Sequence, residues 1–367
     1  MRTICCIFNF APHYRQAIYQ LMDKELSCDF YFGDQPETPI RPMDVNTLKG
    51  YRGNVKNLRL FSHFYWQRNI LRLLRKPYGT YLMTGEIYNL ALWTFLFAAR
   101  LHHKKVYLWT HGWYGRENRW KKFVKKLLFR QAEGVFLYGE YARNLMIKNG
   151  FPPVRLHCIA NSLNYDCQKS IRRTLTHTDI YTRMFNNTLP TCIYVGRLQE
   201  SKRLDLLIQA IAILKQQGRR HCNLLIVGDG KSRDALTEQV RKEHIEEQVR
   251  FYGPCYEEKE LAELFYNASV CVSPGNVGLT ALHALSYGCP VITHGTFEEQ
   301  MPEFEAITEG KTGAFFRKDS IEDMALTIET WLAKAPSTQE VETTCFEVID
   351  KKWNPYYQVE LLKHVLK

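Results

Sequence analysis

The 367-residue sequence has no CxxC pair among its eleven cysteines, which lie at 5, 6, 28, 158, 167, 192, 222, 255, 271, 289 and 345. A disulfide framework is usually smaller and a zinc site needs clustered ligands, so the pattern points to buried reduced thiols in a cytoplasmic protein, with no metal site visible. Long apolar runs are also missing. The longest, LALWTFLFAA at 90–99, falls well short of the ~20 residues that span a bilayer, so the chain reads as soluble or peripheral. The start, MRTICCIFNFAP, is cut by Asn9 and Pro12 and reads as a first β-strand rather than a signal peptide. One more absence is local. Residues 273–291, SPGNVGLTALHALSYGCPV, contain no Asp or Glu, although a glycine turn that opens a helix suits an anionic ligand and a sugar or ribose site ordinarily uses a carboxylate.

What is present is an excess of positive charge: 49 Lys and Arg against 38 Asp and Glu, a net +11. That balance favours an anionic partner such as a nucleotide, a phosphate or an acidic lipid. No helix-turn-helix or zinc motif accompanies the charge, so nucleic acid is not the expected partner. Short apolar runs alternate with helical patterns throughout, which predicts an α/β protein with parallel sheets. The first series of strands is expected at 3–9, 28–33, 80–84, 105–110, 134–139 and 155–161. The second is expected at 191–196, 223–228, 249–253, 269–274 and 290–294. The division predicted is an N-terminal domain at 1–165, a linker at 166–189 with room for a short helix, a second domain at 190–345 and a C-terminal helical segment at 346–367 that packs back on the first domain. Two doubly wound domains in tandem place ligand sites at the carboxyl ends of strands, which predicts an active site in the cleft where the domains face each other.

The strongest chemical signal is VGRLQESK at 195–202. A strand ends at Gly196, and a loop carrying Arg197 and Lys202 leads into a helix, so two cations converge near an anion-binding helix start. Residues 191–315 resemble the nucleotide-sugar-binding half of the retaining glycosyltransferases of family four, which have the two-Rossmann-domain GT-B fold. The resemblance rests on GRL and Lys at 196–202, IVGDG at 226–230, FYG at 251–253, GL at 278–279, YGCPV at 287–291 and EGKTG at 309–313. Each segment alone is weak, and six in order are specific.

The resemblance implies that Arg197 and Lys202 hold the diphosphate of a nucleoside-diphosphate sugar, and that Gly196, Gly228, Gly230, Gly275, Asn276, Val277, Gly278 and Leu279 approach the donor. It also implies a retaining, metal-independent reaction with no cofactor, in which the donor phosphate accepts the acceptor's proton. The family's two glutamates would fall at Gly275 and His283, and both are absent. Asn276 is the candidate amide substitute for the first, and the His283 imidazole is expected to hydrogen-bond a ribose hydroxyl in place of the second. His111, at the end of KVYLWTHG, matches a histidine that reaches the reacting sugar. His13, Arg15 and Glu86, after two other strands, are acceptor-side candidates, with a surface role and a solvated helix-terminal carboxylate as the competing readings for His13 and Glu86.

Two basic, aromatic segments, 58–76 and 117–131, suggest contact with an anionic membrane surface, the latter through Lys121, Lys122, Lys125 and Lys126. The competing reading is a surface helix with its apolar stripe turned inward. The expected activity is therefore transfer of a sugar to a glycan or lipid-linked acceptor at the inner face of a membrane, in surface polysaccharide synthesis. A sugar-nucleotide epimerase of the same fold and a non-catalytic nucleotide-sugar-binding protein are the alternatives.

Overall fold

The structure is a computed structural model that describes residues 3–34, 40–216, 218, 221–334 and 338–366. It divides into two compact units, Met1–Asn164 with Asn354–Lys367, and Tyr165–Trp353.

The strands of the first unit are β1 (Ile4–Phe8), β2 (Asp29–Gly33), β3 (Tyr51–Val55), β4 (Asn57–Phe61), β5 (Phe64–Gln67), β6 (Thr80–Thr84), β7 (Lys105–Thr110), β8 (Gly134–Leu137) and β9 (Leu156–Cys158). Seven of them form one sheet in the order β3-β2-β1-β6-β7-β8-β9, parallel throughout, while β4 and β5 pair as an antiparallel hairpin. Helices α1 (Gln16–Leu26), α2 (Leu90–Leu101), α3 (Arg119–Arg130) and α4 (Glu140–Lys148) cover the faces. Alternation along β1 explains the two layers. Cys5 and Ile7 join Leu92, Phe95 and Phe129 on one side, whereas Ile4, Cys6 and Phe8 join Ile18, Tyr19 and Met22 on the other.

The second unit opens with α5 (Tyr165–Arg172) and α6 (Ile180–Phe185). Its sheet contains β10 (Thr191–Val195), β11 (Asn223–Val227), β12 (Val249–Gly253), β13 (Val270–Ser273), β14 (Val291–His294) and β15 (Gly313–Phe316) in the order β12-β11-β10-β13-β14-β15, again parallel. The helices are α7 (Leu204–Gln216), α8 (Arg233–Lys242), α9 (Glu258–Asn267), α10 (Leu279–Ser286), α11 (Ile321–Lys334) and α12 (Thr338–Lys351). Two Rossmann-like halves are therefore present. All eleven cysteines are free thiols, and burial pushes the one at Cys271 up to about 12, which leaves it protonated and inert.

The structure adds to the expected elements in three places. Residues 166–189 carry α5 and α6, which pack on the second unit, where Arg172 pairs with Asp350 and the Tyr181 hydroxyl donates to the Leu264 carbonyl at 2.5 Å. Within 346–367, α12 ends at Lys351, and Pro355, which has no N–H with which to extend it, begins α13 (Pro355–Leu366). This last helix buries Val359, Leu362 and Leu366 against the α1 side of the first sheet, and Gln358 exchanges hydrogen bonds with Ser162 and Ala160. Finally, β3, the hairpin and β15 lie outside the expected strands. YRGNV and GAFF are edge strands too short or too polar to form an apolar run.

The carboxyl ends of β10 and β11 meet at Gly228, where an added Cβ would stand 1.9 Å from the Gly196 carbonyl oxygen. With φ at +139°, Gly228 is doubly constrained. Gly228→Ala is expected to lower stability by roughly 2 kcal/mol or more, read as a reduced denaturant midpoint. Gly79→Ala, which meets nothing within 4 Å, should stay within about 0.5 kcal/mol of wild type.

Candidate functional site

At the carboxyl end of the second sheet, three loops interlock through backbone. After β10, Leu198 donates to the Asp229 carbonyl and accepts from the Ser232 amide, at 3.0 and 3.1 Å. Gly275, after β13, donates to the Lys202 carbonyl at 3.1 Å, and a Cβ on it would lie 2.4 Å from the Ser201 carbonyl oxygen. The glutamate expected of the family at 275 therefore has no room in this backbone. The Lys202 ammonium donates to both Asn276 oxygens, the backbone carbonyl and Oδ1, each at 2.9 Å. Burial lowers its pKa, and the charge of Glu303 opposes that shift. Buried Gln300 fixes the turn by accepting from the Val277 amide at 2.7 Å and donating to Thr293 and to the His294 carbonyl. Gly278 then caps α10, and an added Cβ there meets only the Met301 side chain, at 3.7 Å or more. Arg197 is exposed on the neighbouring loop.

His283 lies five residues along α10. Its Nε2 donates to Glu258 Oε1 at 2.9 Å, and its ring packs beside Phe265 and Tyr287, with centroids 5.2 and 5.6 Å away. Tyr287 and Gln168 donate to the same oxygen at 2.6 and 3.1 Å. The imidazole thus meets, through Nε2, a carboxylate that α9 brings in. Burial alone would raise the Glu258 pKa, but the hydrogen bonds from His283, Tyr287 and Gln168 prevail and hold it at about 2. All three donors end on Oε1, and among the described residues none ends on Oε2.

In the first unit the carboxyl ends of β7 and β8 bring His111 and Arg15 together. The Arg15 guanidinium lies over the rings of Trp109 and Tyr138 at 4.9 and 5.2 Å, and Tyr138 also contacts the His111 ring at 4.7 Å. His111 Nδ1 is buried and finds no hydrogen-bond partner among the described residues. Burial, then the positive charges of Arg15 and Lys125, push the imidazole down to about 4. The loop that carries His111 is pinned by Lys125, whose ammonium donates to the Gly112 carbonyl and to Glu117, both at 2.7 Å, while Glu117 accepts from the Tyr114 and Gly115 amides. Lys125 is therefore a buried structural cation, which removes it from the expected membrane-facing lysines.

Glu86 is held at the carboxyl end of β6 by Asn9 at 2.9 Å and by the Tyr65 hydroxyl, from the hairpin, at 2.7 Å. Burial raises its pKa against the opposing Tyr65 bond, so it is not a solvated helix-terminal carboxylate. His13 is exposed, and its Nδ1 donates to the Arg41 carbonyl at 3.1 Å.

Residues 182–344 match the protein family described as glycosyl transferases group 1. The chain carries a glycosyl transferases group 1 domain. Its sequence is 30% identical to glycogen synthase of Mycobacterium tuberculosis over 152 residues, 40% of this chain and 35% of that protein. It is 24% identical to the amylovoran biosynthesis glycosyltransferase AmsD of Erwinia amylovora over 172 residues, 46% and 45% of the two chains. The chain thus spans less than half the length of these curated relatives. In three dimensions it resembles Anabaena HepE in complex with UDP, with a TM-score of 0.74 at 13% identity over 99% of both chains. The lipopolysaccharide outer core galactosyltransferase WaaB superposes with a TM-score of 0.71 at 14% identity, covering 99% of this chain and 98% of that one. The fold is that of the GT-B glycosyltransferases.

In the group 1 domain the structure gathers Gly196, Lys202, Gly228, Gly230, Gly275, Asn276, Val277, Gly278 and Leu279 onto adjoining loops at one sheet edge. Sequence reading missed Glu258, Gln300 and Glu303 there, and Asn9, Tyr65, Lys125 and Glu117 in the first unit. The glycine turns were visible because close approach dictates residue type, whereas these groups are assembled across long stretches of chain. Among the described residues, no group of three His, Cys, Asp or Glu side chains could hold a metal ion.

The field around His111 has a testable sign. Its folded pKa lies below the ordinary 6.5, so it contributes no penalty above that value and destabilises the fold as pH falls from 6.5 toward 4. Arg15→Met keeps an apolar stem and removes one cation, so the His111 titration midpoint should move upward from about 4 by NMR. A midpoint unchanged in the variant would deny Arg15 a part in that field.

Proposed function

We propose that this protein is a glycosyltransferase that moves a sugar from a nucleoside-diphosphate donor to a glycan or lipid-linked acceptor, with retention at the anomeric carbon and without a metal. The observation that carries this reading is the meeting of a partly desolvated Lys202 ammonium with the 275–278 turn that leads into the N-terminus of α10. An ammonium, the Arg197 guanidinium and unpaired helix amides suit a diphosphate, and they suit it more as charge grows on the departing oxygen. Similar proteins support this reading: HepE forms a complex with UDP and AmsD is an amylovoran biosynthesis glycosyltransferase, so a role in surface polysaccharide synthesis follows by analogy.

In this reading the diphosphate lies across Arg197, Lys202 and the 275–278 turn, and the ribose reaches Glu258. Its Oε2 accepts from the diol while His283, Tyr287 and Gln168 fix the carboxylate through Oε1. His283 is then a positioning residue. In the first unit, neutral His111 serves the transferred sugar, while Arg15, Glu86 and His13 serve the acceptor. No protein nucleophile is required if the donor phosphate accepts the acceptor's proton. Within the group 1 domain the carboxylates missing from 275 and 283 favour one competing reading, a protein that binds nucleotide sugar without turning it over. Conversion of donor without an acceptor would instead indicate an epimerase.

Arg197→Ala and Lys202→Ala should each lower transfer by about 10²-fold or more, and near-normal rates in both would overturn the diphosphate assignment. Chelator should leave initial rates unchanged. Glu258→Gln should raise the donor KM several-fold, as for one lost hydrogen bond of ~0.5–1.5 kcal/mol, with kcat little altered. A donor lacking the ribose 2′-hydroxyl should narrow the gap between wild type and Glu258→Gln. An undiminished gap would place Glu258 away from the ribose.

A further inference from the structure

Helix α3 buries Leu128 and Phe129 and tethers Lys125 inside, yet it also turns a second apolar stripe outward. Trp120, Phe123 and Leu127 are 74%, 58% and 51% exposed. At positions i, i+3 and i+7 they share one face, and the rings of Trp120 and Phe123 stack at 5.9 Å. By helical position Arg119, Lys126 and Arg130 flank this stripe, whereas Lys122, seven residues before Phe129, falls toward the buried side, and RWKKFVKKLLFR contains no acidic residue.

A second element extends the surface. Lys121 lies over the Tyr88 ring at 5.9 Å, and Tyr88 contacts Phe64 and His63 near the tip of the β4–β5 hairpin, at 5.5 and 5.8 Å. Phe64 packs on Phe61 at 5.0 Å, and Phe61 is 62% exposed. Ring contacts therefore link the hairpin tip to the flank of α3, although the two are separated by most of a βαβ unit in sequence. Among the described residues, no helix is long and apolar enough to cross a membrane.

We propose that the α3 stripe and the β4–β5 hairpin tip form one docking surface for an anionic lipid bilayer. Trp120, Phe123, Leu127 and Phe61 enter the interfacial layer, while Arg119, Lys126 and Arg130 meet acidic headgroups. Charge decides the occupant. A protein groove would cover the apolar stripe but would need a carboxylate for each flanking cation, whereas an anionic leaflet supplies both at once. The proposal does not rest on the transfer reaction, and its readout needs no sugar donor.

The test is sedimentation of the full chain with vesicles of phosphatidylcholine alone or with roughly a third phosphatidylglycerol. Wild type should bind the anionic vesicles at least about tenfold more tightly, less so at high salt. Trp120→Ser/Phe123→Ser/Leu127→Ser and, separately, Arg119→Gln/Lys126→Gln/Arg130→Gln should each lose that binding, and Leu60→Ser/Phe61→Ser should weaken it. These side chains face solvent, so thermal unfolding should stay close to wild type. Should a multiple variant fail to fold, quenching of tryptophan fluorescence by brominated lipid chains in wild type, diminished in Trp120→Phe, supports the proposal. Equal affinity for neutral and anionic vesicles would overturn it, as would unchanged binding by the stripe variant. Self-association of wild type that the stripe variant abolishes, with vesicle binding unaltered, would assign the surface to a second copy and also overturn it.

Discussion

A lysine ammonium removed from water loses hydration that the protein must replace, and at Lys202 the replacement comes from two oxygens of one residue, Asn276. Neither oxygen carries a full charge, and the charge of Glu303 only partly offsets the burial, since the Lys202 pKa remains lowered. An arriving anion would therefore gain more from this cation than from a hydrated surface lysine. The backbone contacts around it follow from the same requirement. Lys202 reaches Asn276 because the 196–203 and 275–278 loops touch through main chain, and that contact leaves no space for a side chain at Gly275. A glutamate at 275 and the present Lys202 geometry are mutually exclusive in this backbone.

The second missing carboxylate has a different physical history. Position 283 holds an imidazole, and an imidazole can keep a carboxylate nearby instead of being one. Glu258 lies at the first turn of α9, where a negative charge is favoured, and three donors converge on a single oxygen. The result is a carboxylate held beside position 283 from another helix, with its pKa lowered to about 2. Burial works against that ionisation. The hydrogen bonds prevail because all three are made to the charged form.

The buried strands were legible because a parallel sheet covered on both faces needs uninterrupted apolar residues, as in TCIYV or NLLIV. The glycine turns were legible for the complementary reason that close backbone approach excludes a Cβ. Neither rule reaches Glu258. Its partners His283 and Tyr287 lie 25 and 29 residues away, and no local pattern announces that α9 and α10 bring them together. Edge strand β3 was hidden by its own polarity, since YRGNV has one face toward solvent and a glycine at its centre. The hairpin was hidden by composition: NLRLF and FYWQ have the same basic, aromatic character as α3, although one is sheet and the other helix.

In α3 the helical period separates lysines that composition makes equivalent. At 100° per residue, Lys125 falls on the side of Leu128 and Phe129, where its charge is matched by Glu117 and the Gly112 carbonyl. Lys126 falls on the other side with Arg119 and Arg130, next to the exposed aromatic residues. One basic run therefore meets two dielectric environments. Inside, a lysine needs a defined acceptor and so fixes the loop from Gly112 to Glu117 that follows His111. Outside, the cations need only a diffuse negative field, which is why substitution with glutamine tests them as a set while Lys125 stays as it is. Because both faces belong to one rigid helix, the position of the His111 loop and that of the outward stripe are set by the same backbone.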